Sequence, residues 1–404
     1  MKRRLRTGEP CWAGSPRGSV VTRASVPFAD WDVVIVGAGV SGAMVAEVLA
    51  DGRRSVLVVD RRRPVGGSTL ASTALIQHEI DTPLYVLART MGMRDASRAW
   101  RRSVEAVSAI RARVQRLQIA CAYRDVSALY LAGDAYGSRA LASEVAARRE
   151  AGIEAELLRS AELRERYGID RTAAIRSAVS ARANPVQLTA GLLRAAEARG
   201  AIVVRDTEIT DVRSSRRRVY LATGDGRLLV ADRAVFCTGY EMLEAVRHEK
   251  HAVSSTWVVA SRPHLPRPDW LTRHVLWEAS DPYLYVRTTR DGRLIVGGED
   301  ERDAHAHASP RTLREKSVTL CEKARALLGV EIGKPDYAWA APFGTTPSGL
   351  PFIDEVPGMP RVHAVMGFGG NGFTFSQIAS ELVARAVDGR PDPDADLFGF
   401  DRAF

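Results

Sequence analysis

The chain has 404 residues, of which 46% are hydrophobic and 26% charged, and this apolar fraction excludes a chain that is disordered throughout. The 57 Lys and Arg residues outnumber the 48 Asp and Glu residues, for a net charge of +9, but they are mixed with acids along the chain, which argues against a nucleic-acid binder. The sequence has no run of about 18 apolar residues, so it predicts no membrane-spanning helix.

Residues 1–29 are basic and contain no apolar segment of the kind that a secretory signal has. We therefore expect them to form a disordered arm, or an unused stretch behind an upstream start codon, and we expect a cytoplasmic protein. The four cysteines, Cys11, Cys121, Cys237 and Cys321, are widely spaced and form no C-x-x-C pair. This spacing argues against a structural zinc site and against a disulfide framework, and no metal is predicted.

The first predicted elements form a βαβ unit. An apolar, β-branched strand over 31–36 leads into a glycine turn over 37–42, an Ala-rich helix over 43–50 and a second strand over 55–60. Elements in this order pack right-handed into a parallel sheet.

The glycine turn has the form G-x-G-x-x-G, which is typical of dinucleotide binding. Gly37 permits the tight turn, Gly39 lets the backbone approach a pyrophosphate, and Gly42 lets the helix pack on the strand. Asp60 ends the second strand 18 residues after Gly42, where an acid can accept hydrogen bonds from ribose hydroxyls. This pattern alone does not separate NAD(P) from FAD.

In the middle of the chain, helical spacing predicts an amphipathic, arginine-rich helix over 93–118 and a further helix over 188–199. Short strand-like segments between 253 and 300, with a hairpin turn at 290–292, predict an antiparallel sheet. Such a sheet suggests a second domain that covers whatever the first domain binds.

The C-terminal part returns to α/β, with a strand over 362–366, a glycine cluster over 367–376 and a helix over 376–387. The N–H groups of a cluster between a strand and a helix can face an anion or an electron-rich ring. A flavin is long enough to need both glycine clusters, and no second G-x-G-x-x-G follows a strand. These two features favour FAD over NAD(P).

With these motifs the sequence resembles the FAD-dependent oxidoreductases of the D-amino-acid oxidase type, which include glycine oxidase and sarcosine oxidase. The resemblance covers about residues 31–400 and rests on the first turn with Asp60, on 67–74, on 234–239, and on T-P-x-G-L-P-x-I-D followed by G-F-G-G-N-G-F. It implies an α/β fold, a Rossmann-like FAD-binding domain with an inserted antiparallel-sheet (α+β) substrate domain. We assign 30–92, 145–250 and 340–404 to the FAD-binding domain, and 93–144 and 251–339 to the substrate domain.

The resemblance also implies which residues contact the flavin. They are Gly37, Gly39, Val40, Ser41, Gly42, Asp60, Arg61, Ser68, Thr69, Ser72, Thr73, Ala74, Gly239, Phe368, Gly369, Gly370, Asn371, Gly372, Phe373 and Thr374. An alternative role for the serine and threonine hydroxyls of residues 68–73 is to cap the N-terminus of the next helix.

Three positions depart from the family's pattern. Ala341 stands where sarcosine-oxidase-like members attach the flavin through a cysteine, which implies that FAD is bound without a covalent bond. Phe343 and Thr374 stand where related enzymes place a cation for the substrate carboxylate. Arg287 is the candidate replacement, with a surface ion pair as the alternative role.

Gln77, His78 and Glu79 directly follow the flavin-contacting segment, so we expect them near the substrate face of the flavin. His78 is the candidate proton acceptor and Glu79 the candidate partner of a substrate ammonium, and the alternative is a pair at a helix start or domain interface. Tyr285 and Phe343 are further candidate substrate contacts.

Two other groups of residues have open roles. Tyr283 and Trp257 either line the pocket or pack the sheet. His305 and His307 form a metal-like D-A-H-A-H stretch, but no third ligand accompanies them, and a solvated loop is expected.

Together these features predict an FAD-dependent oxidoreductase that oxidises the C–N bond of an amine or amino acid by hydride transfer, with water hydrolysing the imine. The alternatives are a 2-hydroxy-acid dehydrogenase of the same fold, with His78 as base, and a flavoprotein subunit of a larger dehydrogenase. The family's oxygen-activating lysine would fall near Ile295, and no lysine lies in 251–315, so the electron acceptor is O2, a quinone or another acceptor.

Overall fold

The structure is a computed structural model that describes residues 4–16 and 20–402. Its helices are, in chain order, α1 (Val40–Leu49), α2 (Leu84–Met91), α3 (Met93–Arg116), α4 (Ser138–Glu150), α5 (Ser160–Tyr167), α6 (Pro185–Glu197), α7 (Pro310–Leu328) and α8 (Gly372–Val387). Within these ranges every helix is too short or too polar to span a lipid bilayer.

The strands form two sheets, one of nine strands and one of ten. They are, in chain order, β1 (Thr7–Gly8), β2 (Thr22–Arg23), β3 (Trp31–Val36), β4 (Val56–Val59), β5 (Leu75–Gln77), β6 (Arg124–Leu131), β7 (Glu156–Arg159), β8 (Ala173–Arg182), β9 (Ile202–Val204), β10 (Ile209–Ser214), β11 (Val219–Thr223), β12 (Leu228–Phe236), β13 (Ala252–Ala260), β14 (His274–Glu278), β15 (Leu284–Thr288), β16 (Leu294–Glu301), β17 (Tyr337–Thr345), β18 (Phe352–Glu355) and β19 (Val362–Met366).

The nine-stranded sheet contains the predicted βαβ unit. Its order is β10-β11-β12-β3-β4-β9-β2, and β19, which pairs with β18, also pairs with β12. β3 runs parallel to β4, with Val34 opposite Leu57, and parallel to β12, with Val34 opposite Ala234. Nearly continuous apolar strands such as β3 and β4 are typical of a parallel sheet that is covered on both faces.

Side chains of β3 alternate between two buried clusters, as the period of a strand requires. Val33 and Ile35 pack with residues of α1, α6 and α8, including Met44. Val34 and Val36 pack in a second cluster on the opposite face. The turn after β3 is therefore held between two packed layers.

The ten-stranded sheet confirms the predicted antiparallel layer. Its order is β1-β17-β13-β16-β15-β14-β6-β8-β5, with β7 beside β8. The hairpin between β15 and β16 turns where the sequence predicts it, since Gly292 has a φ of +76° and Thr289 N–H donates to the Arg293 carbonyl at 3.0 Å. Helix α7 covers one face of this sheet, and the other face turns towards the end of the nine-stranded sheet that carries the glycine turn.

Several segments, among them β5, β7, β8 and helix α3, lie in a different layer from the one to which the sequence assigned them. β7 and β8 fall in 145–250, which we assigned to the FAD-binding domain, but they belong to the ten-stranded sheet. Helix α3, which we assigned to the substrate domain, packs Trp100 and Ile110 into the cluster that contains α1 and α8. Hydrophobic periodicity identifies the buried face of an element but not the sheet that covers it.

Part of the basic arm, predicted to be disordered, packs on the protein. β1 pairs with β17, and Leu5 and Trp12 are buried. The Trp12 indole N–H donates to the Ser72 carbonyl at 2.9 Å. The prediction weighed the charge of the arm and overlooked these two large apolar side chains, whose burial stabilises an ordered position. Residues 1–3 and 17–19 of the arm lie outside the described residues.

Candidate active site

A cavity of about 670 Å³ lies between the two sheets. Its turn end, as we call it, is lined by the glycine turn and by residues 60–62 and 207–210. Its sheet end is lined by part of the second glycine cluster and by Thr256, Val258, Trp277, Glu278, Ala279, Ser280, Tyr283, Tyr285, Asp300, Ala341, Pro342 and Phe343. A cavity of this size is in the range of small-molecule and cofactor sites.

At the turn end, close backbone contacts require the glycines. Gly37 has a φ of +114°, and a Cβ there would overlap the carbonyl oxygen of Cys237. A Cβ on Gly42 would overlap the carbonyl oxygen of Gly37, so Gly42 serves the packing of α1 and does not line the cavity. Gly39 does line it, with a Cβ position 3.1 Å from Thr69 Oγ1. The N-terminus of α1, where N–H groups and the helix dipole favour an anion, is thus accessible from the cavity.

Asp60 also lines the turn end and joins the glycine turn to β4. Its Oδ2 accepts from the Ala38 N–H at 2.7 Å, and its Oδ1 accepts from the Arg62 N–H at 2.7 Å. Burial raises the pKa of Asp60, and these N–H groups oppose that rise. Each carboxylate oxygen keeps further acceptor capacity for a ligand hydroxyl.

The first two of the three arginines that follow Asp60 pair with acids that the sequence analysis missed. Arg61 Nη1 lies 3.1 Å from Glu208 Oε1, and Arg61 also pairs with Glu241. Arg62 Nη1 lies 2.7 Å from Glu241 Oε2, and the side chain of Glu241 is only 4% exposed. The predicted cofactor residue Arg61 therefore reaches the cavity with its charge already balanced.

The polar segment after the turn lines the middle of the cavity through Ser68, Thr69, Ser72 and Thr73. Thr69 Oγ1 accepts from the Val40 N–H at 3.0 Å, which ties this segment to the start of α1. The predicted contacts Val40, Ser41 and Gly239 line the cavity as well. Ala74 does not, because its carbonyl turns away to accept from an arginine of the ten-stranded sheet.

The second glycine cluster is held against residues 77–81 by three hydrogen bonds. Gly370 N–H donates to Asp81 Oδ2 at 3.0 Å. The side chains of Asn371 and Thr374 donate, both at 2.7 Å, to the carbonyls of Glu79 and Gln77. Phe368, Gly369, Gly370, Gly372 and Phe373 line the cavity. The predicted contacts Asn371 and Thr374 do not, since these bonds direct their side chains into the protein.

The sheet end has aromatic walls. The predicted substrate contacts Gln77, Tyr285 and Phe343 all line it, as does Tyr283. Trp257 does not, because it lies on the face towards α7, with Lys316 Nζ 5.0 Å from its ring centroid. Further lining aromatics that the sequence analysis missed are Tyr130, Tyr136, Tyr240 and Trp277.

A β-bulge in β16 brings Asp300 into the cavity. Leu294 and Val296 face α7, so strict alternation would turn residue 300 towards α7 as well. One extra residue of β16 opposes β13 between Gly298 and Glu301, with Gly298 at φ +129° and Glu299 at φ +59°. Glu299 consequently pairs with Lys316 on the α7 face, at 3.4 Å, and Asp300 lines the cavity.

Two carboxyl groups of the sheet end have raised pKa values. Burial raises the pKa of Asp300 to about 7, against the opposing hydrogen bonds from the side chains of Thr256 and Tyr283. The surrounding protein desolvates the Asp81 carboxyl group and raises its pKa to about 6, against the hydrogen bond from Gly370, although the side chain is exposed to the cavity. Raised carboxyl pKa values of this kind concentrate at functional sites.

The His305–His307 stretch lies away from the cavity, on the outer side of β13. His307 is buried, in contrast to the solvated loop that we expected, with its Nε2 2.6 Å from the Arg4 carbonyl and its Nδ1 3.1 Å from Ser255 Oγ. Within the described ranges, no group of three or more His, Cys, Asp or Glu residues is arranged to hold a metal ion.

A family model for FAD dependent oxidoreductases matches residues 32–386 of the chain. The chain belongs to this family. By sequence, the flavoenzyme is similar to the gamma-glutamylputrescine oxidoreductase of Escherichia coli strain K12, with 24% identity over 379 residues that cover 91% of this chain and 85% of that protein.

Solved structures share the fold of this FAD dependent oxidoreductase. Glycine oxidase from Geobacillus kaustophilus superposes with a TM-score of 0.75 at 20% identity, over 93% of this chain and 99% of that chain. L-amino acid deaminase from Proteus vulgaris superposes with a TM-score of 0.74 at 15% identity, over 95% of this chain and 100% of that chain. At these identities the likeness establishes the fold.

The described residues fit FAD, the cofactor of the family. At the turn end, the N-terminus of α1 suits a pyrophosphate and Asp60 suits a ribose. At the other end, Gly369 and Gly370 lack side chains and line the cavity, and a Cβ on Gly369 would overlap the Asp81 carboxylate. Backbone at both ends of one cavity can therefore hold the two ends of one long cofactor.

The predicted catalytic pair of this flavoenzyme does not reach the cavity. His78 is buried beside Trp100, with its Nδ1 2.8 Å from the Val179 carbonyl, and burial lowers its pKa. Burial favours a raised pKa for Glu79, but Arg148, 2.9 Å from its Oε1, outweighs this effect and the pKa is lowered. The strand β5 ends at residue 77, and the backbone then enters the core, so only Gln77 and Asp81 of this segment line the cavity.

Arg287, the predicted replacement for a carboxylate-binding cation, is also directed away. Its Nη1 donates to the carbonyls of Ala74, at 2.9 Å, and Ala183, at 3.0 Å, and to that of Thr73. Its guanidinium lies 5.4 Å from the ring centroid of Trp12. Arg287 therefore fastens the cavity wall to the N-terminal segment and does not line the cavity.

Proposed function

We propose that this FAD-dependent oxidoreductase oxidises the C–N bond of an amine or amino acid by hydride transfer to a non-covalently bound flavin. One observation carries the proposal: a single cavity joins a dinucleotide-type glycine turn to an aromatic sheet end that carries the carboxyl groups of Asp81, Glu278 and Asp300. The names of the relatives, which act on amines and amino acids, agree with this substrate class.

The chain's own part in the reaction is to orient the substrate and to take its proton. FAD, when bound, supplies the acceptor for two electrons and one hydrogen. The aromatic walls hold the C–N bond and exclude water. A substrate amine must lose its ammonium proton before hydride leaves the adjacent carbon, and Asp81 and Asp300, with pKa values of about 6 and about 7, are placed to accept it. The carbon–nitrogen double bond that results is hydrolysed by water.

The absence of a covalent flavin link is part of the proposal. Ala341, which lines the cavity, has no nucleophile. Cys237 also lines the cavity, but it lies beside Gly37 at the turn end, and burial raises the pKa of its thiol to about 12. A thiol that stays protonated is a poor nucleophile. Acid precipitation is therefore expected to leave all the flavin in the supernatant, and flavin that remains with the pellet would refute this part.

We further propose that a quinone or another acceptor reoxidises the flavin faster than O2 does. The family's oxygen-activating lysine would fall near Ile295, and Ile295 is buried in the core beside the N-terminal segment. No lysine of the described residues lines the cavity. Reoxidation of the reduced enzyme by a soluble quinone and by air-saturated buffer gives the comparison. Faster reoxidation by O2 would mark an oxidase instead.

We also propose that the protein is cytoplasmic, because its four cysteines, which all lie among the described residues, form no disulfide bond.

The test of the proposed function is an anaerobic screen of amines, D- and L-amino acids and 2-hydroxy acids, with the flavin absorbance as readout. Reduction by amines or amino acids is expected. Reduction by hydroxy acids alone would favour the hydroxy-acid dehydrogenase, although its predicted base, His78, does not line the cavity. Reduction by no compound, with co-purification of a second chain, would favour a subunit of a larger dehydrogenase.

A further inference from the structure

The sheet end of the cavity carries more negative charge than the described cations balance. Asp81, Glu278 and Asp300 line it. Glu278 is paired, because its Oε2 lies 3.3 Å from Arg171 Nη2. Asp81 and Asp300 have no ion-pair partner within residues 4–16 and 20–402.

The described cations that line the cavity lie at the opposite end. They are Arg61 and Arg62, and both pair with Glu241. Lysines near Asp300 are on the wrong side of the sheet, since Lys316 pairs with Glu299 at 3.4 Å and with Glu301 at 2.9 Å on the α7 face. A substrate carboxylate at the sheet end would meet two carboxyl groups and no cation, and like charges at such sites repel.

The two carboxylate oxygens of Asp300 differ in their surroundings. The hydroxyl groups of Thr256 and Tyr283 face the carboxyl group and oppose the rise of its pKa. Its Oδ1 is buried and has no hydrogen-bond partner in the part of the chain that the structure describes. A buried, unpaired polar atom is costly, and an ammonium group of a ligand would satisfy it.

The bulge adds a second reason to regard Asp300 as built for a ligand. Two consecutive residues of β16, Gly298 and Glu299, have positive φ angles, and their joint effect is to turn Asp300 into the cavity. Strained backbone of this kind persists where the surrounding structure requires it, and it clusters at binding sites. Tyr283 and Tyr285, with ring centroids 6.1 Å apart, line the same end of the cavity and can accept the apolar or cationic parts of an amine.

We propose that Asp300 binds the ammonium group of the substrate, and that the substrate class is amines without a carboxylate on the oxidised carbon. This inference rests on the proposed function and narrows it from amines or amino acids to amines. Asp300 then acts as the specificity-determining residue, and Asp81, whose charge acts on Asp300, adds negative potential.

Binding can be tested separately from catalysis with probes that cannot be dehydrogenated to an imine. The tert-butylammonium ion carries only a positive charge, has N–H groups that can donate to Asp300 and has no C–H on the carbon next to nitrogen, whereas butyrate carries only a negative charge. Calorimetry on the FAD-loaded protein is expected to give a Kd for tert-butylammonium at least tenfold lower than for butyrate. Asp300→Asn, which keeps the shape of the side chain, is expected to raise the Kd of the cation at least tenfold.

The matched control is Glu301→Gln, on the same strand but paired with Lys316 on the α7 face, and it is expected to leave both Kd values unchanged. A Kd for butyrate equal to or lower than that of the cation would overturn the proposal with the wild-type protein alone, whether or not the variants fold. An unchanged Kd for the cation in a folded Asp300→Asn protein would overturn it as well.

Anaerobic reduction of the flavin by decarboxylated pairs tests the substrate class. Phenethylamine is compared with both enantiomers of phenylalanine, and cadaverine with both enantiomers of lysine. At least one amine is expected to reduce the flavin tenfold faster than its amino acid. Faster reduction by the amino acids overturns this inference and leaves the proposed function standing. Reduction by hydroxy acids alone overturns the proposed function, while the calorimetric result still decides whether Asp300 binds cations.

Discussion

The two ends of the cavity are built in different ways. The turn end is made of backbone: Gly37 and Gly39 form it, and Asp60 is fixed to it by an N–H group at 2.7 Å. The sheet end is made of side chains, and one of its carboxyl groups, Asp300, lines the cavity only because a bulge shifts the alternation of β16. A site made of backbone can be recognised from its sequence motif, whereas a site made of side chains depends on the register of the strands that carry them. The cofactor was therefore predictable from the sequence, and the substrate was not.

The largest effect is expected from a change to the backbone end. Gly39→Val places a branched side chain in the cavity next to Thr69 Oγ1, which lies 3.1 Å from the Cβ position, and blocks the approach to the N-terminus of α1. FAD binding should be abolished while the protein stays folded. The flavin-to-protein absorbance ratio and circular dichroism measure these two properties. Gly137→Val is the control, because a Cβ at Gly137 meets nothing within 4 Å. A yellow Gly39→Val protein with normal FAD affinity would contradict the claim that the backbone of the turn end binds FAD.

The next effect is expected at the bulge of the sheet end. A Cβ on Gly298 would overlap the carbonyl oxygen of Tyr283, and its φ of +129° suits only glycine. Gly298→Ala should lower the free energy of unfolding by about 1–3 kcal/mol. It should also weaken binding of a cationic probe more than tenfold while FAD affinity is retained. Urea denaturation and calorimetry provide the measurements, and equal losses of FAD and cation affinity would contradict the division into two ends.

The ligand affinities of the two ends should also differ in how they depend on pH. Desolvation raises the pKa of Asp300 to about 7 and that of Asp81 to about 6, so both are protonated and neutral below these values. The groups that face Asp300 are the side chains of Thr256 and Tyr283 and the carboxyl groups of Asp81 and Asp281. The affinity for tert-butylammonium should therefore fall by about tenfold from pH 8 to pH 6.

The control for this pH effect is Asp300→Asn, in which most of the dependence should disappear. FAD affinity over the same range should change less than cation affinity. A cation affinity that rises as the pH falls would contradict the assigned sign.

The smallest effect on catalysis is expected from His78, which the sequence made a candidate proton acceptor. The imidazole is buried against Trp100 and bonded to the Val179 carbonyl, away from the cavity. His78→Ala should lower the free energy of unfolding by about 1–3 kcal/mol and change the rate of flavin reduction less than twofold. Stopped-flow reduction and urea denaturation distinguish these effects. A tenfold or larger fall in the rate of flavin reduction would contradict this prediction and indicate that His78 takes part in the reaction.

The fold and the turn end could be predicted because their signals are local. The glycines of 37–42 and the acid at 60 stand in the order that the βαβ unit requires, and they lie as that order implies. His78, Glu79 and Arg287 could not be placed in the same way. Adjacency to residue 77 says nothing about which side chain faces the cavity, and the carbonyls that bond Arg287 come from distant segments.

Asp300 was missed for a different physical reason. Strict alternation turns it towards α7, and only one extra residue in β16 reverses that direction. The available signal was Gly297-Gly298 inside a strand pattern, since glycine in a strand marks a bulge or a close approach. Leu5 and Trp12 show the same limit in the N-terminal arm, where overall charge concealed two buried apolar side chains.

The most direct test of the account is the flavin content of the purified protein. If the turn end and the second glycine cluster hold one long cofactor, the protein, reconstituted with FAD if necessary, will be yellow, carry one FAD per chain and release all of it on acid precipitation. A protein that stays colourless after incubation with FAD would contradict the central claim that the cavity holds this cofactor.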